Sequence, residues 1–195
     1  MPATTHLLYL HGFRSSPQST KARQVAAWIA TRHADVTWCC PQLPPSPREA
    51  INRVDELTAG WPRDGMAVIG SSLGGFYAAV IAERTDCPAV LLNPAPHPAR
   101  DLAKYVGEIS AWHSDERFFF RPEFVDELRA MAPPKLTRAE RYFAIVAKGD
   151  EVLDWLEMVA FLPTGGAIEL IEGGDHAIAD FDLRLPGVMR FLGLA

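Results

Sequence analysis

Short apolar runs alternate along this chain with longer stretches in which apolar positions recur at helical spacing. The runs over 5–10, 36–40, 66–69, 89–92, 142–147 and 167–171 have strand length and are rich in Val, Ile, Leu and aromatic residues. Between the first two, Val25, Trp28 and Ile29 form an apolar stripe behind Ser19 or Thr20 as a helix start. Ser46, with Pro47 behind it and Glu49 three residues on, reads as a capped helix start, and Ile51, Val54 and Leu57 continue its buried face. Further helices are expected from Phe76 to Glu83, over about 151–161 and over about 185–193. Strands alternating with helices imply an α/β fold: about six mostly parallel strands with helices on both faces. Residues 97 to about 140 break the alternation, mixing Trp112, Phe118, Phe119, Phe120 and Phe124 with charges. They read as a small cap of short helices and loops inserted over one end of the sheet. No repeat, low-complexity segment or linker divides residues 1–195, which form a single domain.

The stretch Val68-Ile69-Gly70-Ser71-Ser72-Leu73-Gly74-Gly75-Phe76 carries Gly-x-Ser-x-Gly at a strand-to-helix transition. A turn that sharp strains the serine backbone, and glycines on either side let neighbouring chain pass without a Cβ in the way. It lifts the Ser72 hydroxyl above the sheet at a helix N-terminus, where free N–H groups and the dipole favour a developing anion. A bare Gly-x-Ser-x-Gly also occurs by chance as a plain turn, so the rest of the chain must supply a base, an acid and a second anion donor. In parallel sheets ligands sit beyond the carboxyl ends of the strands. His11-Gly12-Phe13, Ser72, Asp150 and His176 each follow directly on an expected strand, which puts all of them on one edge.

A serine hydroxyl needs a general base and a third group to orient that base. His176, in the Gly173-Gly174-Asp175-His176 loop after the last strand, is the candidate base. His6 and His33 look structural or solvated, and His97 and His113 lie in the insertion. Asp150 is the candidate acid, with capping of the next helix as its other reading; Glu151, Asp154 and Asp175 are rivals. The oxyanion donors expected are the backbone N–H groups of Leu73 and Phe13, with Gly12 letting that loop approach and His11 tying it down. Trp112, Phe119 and Phe120 are candidates for the wall of an acyl pocket; a small core beneath the insertion is the other reading.

Composition narrows the alternatives. A formal net charge of -5 leaves no basic surplus for nucleic acid. No apolar run approaches the ~20 residues of a membrane span, and the N-terminus lacks a signal-peptide pattern. Three cysteines, Cys39, Cys40 and Cys87, without C-x-x-C spacing, suggest reduced thiols and a cytoplasmic protein. Cys39 and Cys40 are expected on opposite faces of a strand. No metal or organic cofactor is implied, and nothing in the sequence specifies an oligomeric state.

Several motifs together resemble the α/β-hydrolase superfamily, and more narrowly the small bacterial YqiA/YcfP-like esterases. They are Tyr9-Leu10-His11-Gly12-Phe13 with Ser15-Ser16-Pro17 and Lys21-Ala22; Gly70 to Ala78; Asn93-Pro94-Ala95; Gly149 to Asp154; and Glu172 to His176. The resemblance spans nearly the whole chain. It implies the α/β-hydrolase fold without its opening antiparallel strand pair, a Ser72/Asp150/His176 triad, and cleavage of carboxylic esters as small-molecule substrates. An acyl-CoA thioesterase with the same triad is the alternative, with Arg14, Lys21, Arg100, Lys104 and Arg117 as scattered candidates for phosphate contacts. A hydrolase-fold binding protein without turnover is the reading from another class.

Overall fold

The computed structural model describes residues 3–110 and 117–195. In chain order the elements are β1 (His6–Leu10), α1 (Thr20–Arg32), β2 (Thr37–Cys39), α2 (Pro47–Thr58), β3 (Met66–Ser71), α3 (Leu73–Thr85), β4 (Ala89–Leu92) and α4 (Pro98–Leu102). There follow β5 (Gly107–Ser110), β6 (Arg117–Phe120), α5 (Pro122–Met131), β7 (Tyr142–Ala147), α6 (Trp155–Phe161), β8 (Ala167–Ile171) and α7 (Phe181–Phe191). Among the described residues six strands form one sheet in the order β2-β1-β3-β4-β7-β8, every pairing parallel.

The period-two alternation of the strands divides the core in two. Leu8, Leu10, Val68, Leu91, Ala144 and Val146 face one way, onto α2, α3, α5 and α6. Leu7, Tyr9, Ile69, Val90, Leu92 and Ile145 face the other way, onto α1 and α7. All of β3 is buried, as a central parallel strand covered on both faces must be. Helix α3 is buried from Leu73 through Ala82, which explains why its sequence is apolar almost all round. Cys39 packs towards the first layer and Cys40 towards the second, while Cys87 is fully buried.

The chain runs from β1 outward to β2, then returns to place β3 on the other side of β1. That reversal opens a crevice between the carboxyl ends of β1 and β3, where Leu10 pairs with Gly70. Ser46 accepts from the Glu49 N–H at 3.2 Å and starts α2 with Pro47 in its first turn, as the capping pattern implied.

Three expectations need correction. The insertion is not only short helices and loops, because β5 and β6 pair as an antiparallel ribbon through Gly107–Phe120 and Ser110–Arg117. Its Phe-rich strand offers no clean polar alternation to read. Helix α6 starts at Trp155, capped by Asp154, because the Asp150 carboxylate holds the Val152 and Leu153 N–H groups in a turn of its own. Helix α7 starts at Phe181, a turn before the expected 185, and takes Pro186 into its interior. Phe181, Leu185, Val188 and Met189 are buried at helical spacing, and that burial outweighs the lost backbone bond at the proline.

Pro186 is solvent-exposed. Pro186→Ala restores a helix bond at little packing cost, and the protein should become about 2 kcal/mol more stable after the loss of proline rigidity in the unfolded chain is counted. Urea unfolding checks this; an unchanged midpoint would mean α7 is already broken at that turn.

Candidate active site

Ser72 sits between β3 and α3 with φ 57° and ψ −121°, a strained conformation for a residue with a Cβ. Two glycines make it possible. A Cβ on Gly70 would lie 2.0 Å from the Gly74 carbonyl oxygen, and one on Gly74 would lie 2.0 Å from the Leu10 carbonyl oxygen. The first turn of α3 therefore packs backbone to backbone against the ends of β1 and β3. The Ser72 carbonyl accepts from Gly75 and Ala95 N–H groups, and its own N–H donates to Leu92. These bonds fix the serine backbone from three sides.

The candidate base and acid converge on this serine. His176 Nε2 lies 3.0 Å from Ser72 Oγ, and His176 Nδ1 lies 2.6 Å from Asp150 Oδ2. The Asp150 side chain has no solvent exposure, and its other oxygen accepts from Val152 and Leu153 N–H at 2.8 Å each. The acceptor carboxylate on Nδ1 keeps the proton there, which leaves Nε2 free to take one from the hydroxyl. The rival acids are engaged elsewhere. Glu151 accepts from the His176 backbone N–H at 3.0 Å, Asp154 caps α6 through the Leu156 N–H, and Asp175 accepts from the Ala179 N–H.

The loop after β1 leans over the serine. A Cβ on Gly12 would be 3.2 Å from Ser72 Cβ and 3.6 Å from its Oγ. His11 is buried and holds this loop in place. The Leu43 N–H donates to its Nε2 at 3.1 Å, so Nδ1 carries the proton and donates to the Gly12 carbonyl at 3.0 Å. Ser15 N–H donates to the same carbonyl. A trans peptide whose oxygen is held there turns the Phe13 N–H the opposite way. Among the described residues no backbone acceptor pairs with that N–H. The Leu73 N–H opens α3, where helix geometry leaves it without an intrahelical partner.

The aromatic candidates separate. Phe120 is buried, with its ring 5.2 Å from Phe13 and 5.5 Å from Phe124. Phe119 is 58% exposed on the other face of β6, and Phe118 packs edge-on against Phe13 instead. Strand alternation sends alternate side chains of this Phe run to opposite faces. Trp112 and His113 lie outside the described residues. His6 stacks near Trp61, and His97 precedes α4 as its N-cap.

Asn93 escaped the sequence reading as a site residue. It is fully buried after β4 with φ 41°. Its Oδ1 accepts from the Ala147 N–H at 2.8 Å, and its Nδ2 donates to the Asp175 and His176 carbonyls at 3.1 and 3.3 Å. The available signal was its position, an αL-tolerant residue directly after a strand on the edge that bears the other candidates.

Burial pulls the His11 pKa below its ordinary value of 6.5, partly offset by the bond to the Gly12 carbonyl. The unfolded chain therefore binds the proton first as pH falls. The stability His11 contributes is complete above its ordinary value and is lost as pH falls through the folded one. Between about pH 7 and pH 5 the wild type should lose unfolding free energy more steeply than His11→Gln. Urea titrations at both ends check this, and parallel slopes would remove His11 from the account.

Residues 6–193 match the family described as Uncharacterised protein family (UPF0227). The fold is shared with solved structures of low sequence identity. A protein from Agrobacterium vitis S4 is 17% identical with a TM-score of 0.74, over 97% of this chain and 90% of that one. Alpha/beta hydrolase domain-containing protein 10 from mouse is 14% identical with a TM-score of 0.69, over 98% and 92%. Est1E from Butyrivibrio proteoclasticus, in a structure with ferulic acid bound, is 14% identical with a TM-score of 0.69, over 96% and 87%. With the match running from the first strand to the end of the last helix, and with this sheet order, the chain belongs to the UPF0227 family and has the α/β-hydrolase fold.

Proposed function

We propose that this protein is a serine hydrolase that cleaves carboxylic esters through an acyl-enzyme. The observation that carries the reading is the unbroken chain from Ser72 Oγ through His176 to the buried Asp150 carboxylate, at 3.0 and 2.6 Å. Ser72 Oγ attacks the acyl carbon while His176 Nε2 takes its proton. The oxyanion forms between the Phe13 and Leu73 N–H groups. Asp150 stabilises the imidazolium, which then gives its proton to the departing alcohol oxygen. Water, deprotonated by the same imidazole, attacks the acyl-enzyme and releases the acid. Est1E, whose structure holds ferulic acid, and the Pyrococcus furiosus esterase Pf2001 share this fold, which supports an ester substrate.

Oxygen esters are favoured over acyl-CoA because three of the five basic candidates are engaged by partners within the fold, and among the described residues only Arg14 and Arg117 share a cavity. Arg100 is paired with Glu157 and Asp101, Arg117 lies by Glu108, and Lys21 is bonded to the Ala177 carbonyl. Among the described residues no helix is long and apolar enough to cross a membrane.

A fluorophosphonate probe should form one adduct, on Ser72, and short-chain p-nitrophenyl esters should be hydrolysed. Ser72→Ala and His176→Ala should lose the adduct and at least about 10⁴-fold in kcat. Peptide mapping with parallel kinetics checks this; a folded wild type that neither labels nor turns over ester ends the reading. Phe119 faces outward, so Phe119→Ala should keep kcat/KM within about twofold for every acyl length, surface substitutions being near neutral. A selective loss for long acyl chains would place that ring in the pocket after all.

A further inference from the structure

The turn that carries His176 is strained and is held from several elements at once. Ile178, two residues on, has φ 50°, a conformation that a β-branched side chain strongly disfavours. The peptide between Ala177 and Ile178 sets that angle. Its carbonyl accepts a hydrogen bond from Lys21 Nζ, reaching across from α1. The other tethers grip different atoms: Asn93 the carbonyls of Asp175 and His176, Glu151 the His176 N–H, and Gly149 the Gly173 carbonyl. The N–H of that peptide donates to the Asp175 carbonyl at 3.2 Å, and Lys21 is the side chain that holds its carbonyl end.

We propose, building on the esterase reading, that Lys21 is a positioning residue of the catalytic base: by fixing the Ala177 carbonyl it keeps His176 over Ser72. The ammonium is a costly choice for that place. It is partly buried against the loop, with the Asp175 and Asp150 carboxylates as its charged neighbours. Desolvation outweighs both carboxylates and brings its pKa down to about 8. The folded value lies below the ordinary 10.5, so protonated Lys21 opposes folding at neutral pH, and the opposition fades only as pH rises towards 10.5. A neutral side chain of equal length would not carry that penalty. The bond to the base loop is what the charge brings in return.

The test compares Lys21→Met and Lys21→Arg with the wild type. Three quantities are read: kinetics on a short-chain p-nitrophenyl ester, melting temperature at neutral pH, and amide hydrogen exchange across the His176 turn. Lys21→Met should lower kcat about tenfold with KM within twofold, since a base displaced by a fraction of an ångström loses rate and not substrate affinity. Its melting temperature should be equal or higher, and exchange at Ile178 and Ala179 should quicken about tenfold. Lys21→Arg, which keeps donor and charge, should recover most of the rate. Wild-type kcat and exchange in Lys21→Met would overturn the proposal. So would a fall of kcat and melting temperature together, the mark of a merely structural residue. Should the wild type neither label Ser72 nor turn over ester, the esterase reading fails by itself. Exchange at Ile178 and Ala179 then decides whether Lys21 holds the turn.

Discussion

The close approach of α3 to the ends of β1 and β3 is the constraint on which the site rests. Gly70 and Gly74 meet neighbouring backbone where a methyl group would overlap at 2.0 Å. Backbone packed closely enough to exclude a methyl group cannot drift, so main-chain contacts fix the direction of the Ser72 side chain. The strain at φ 57° is held by the same contacts and by the bonds to Leu92, Gly75 and Ala95. A flexible serine would sample many directions; this one is oriented by folding.

Around that fixed point the fold brings two loops that are built differently. The loop after β1 has a buried imidazole among its anchors, with Leu43 on one nitrogen and Gly12 on the other. Its ordering therefore depends in part on the neutral form of His11. The loop after β8 is anchored by Lys21, Asn93 and Glu151, side chains of three different elements. Each loop carries a group that the proposed mechanism needs held in place: the Phe13 N–H at the developing oxyanion, and the His176 imidazole between a hydroxyl and a carboxylate.

The inserted cap is tied to the loop after β1. Phe13 packs on Tyr105, Phe118 and Phe120, and Arg14 Nε donates to the Ser110 carbonyl. The Phe-rich segment thus belongs in large part to the packing that steadies residues 13 and 14. Of the rings considered for an acyl wall, Phe120 is core and Phe119 faces outward.

Much was legible in the sequence because local patterns carry it. Strands β4, β7 and β8 lie where their apolar runs begin and end, and the Ser46 cap sets the start of α2. The parallel sheet puts every strand end on one edge, which is enough to bring Ser72, Asp150, His176 and Gly12 to the same place. What the sequence could not decide was anything that depends on competition between distant groups. Asp150, not Glu151, faces the imidazole, because Glu151 is drawn to the His176 backbone N–H. Pro186 lies inside α7 because the burial of Phe181 and Leu185 outweighs a lost bond. Phe118 and not Phe119 meets Phe13 because the register of a two-stranded ribbon chose the face. Asn93 and Lys21 bond to the turn that carries His176 from positions 83 and 155 residues away in sequence, read from His176 to each. Side-chain periodicity is a local property and survives in the sequence; the choice among partners for a hydrogen bond exists only once the chain has folded.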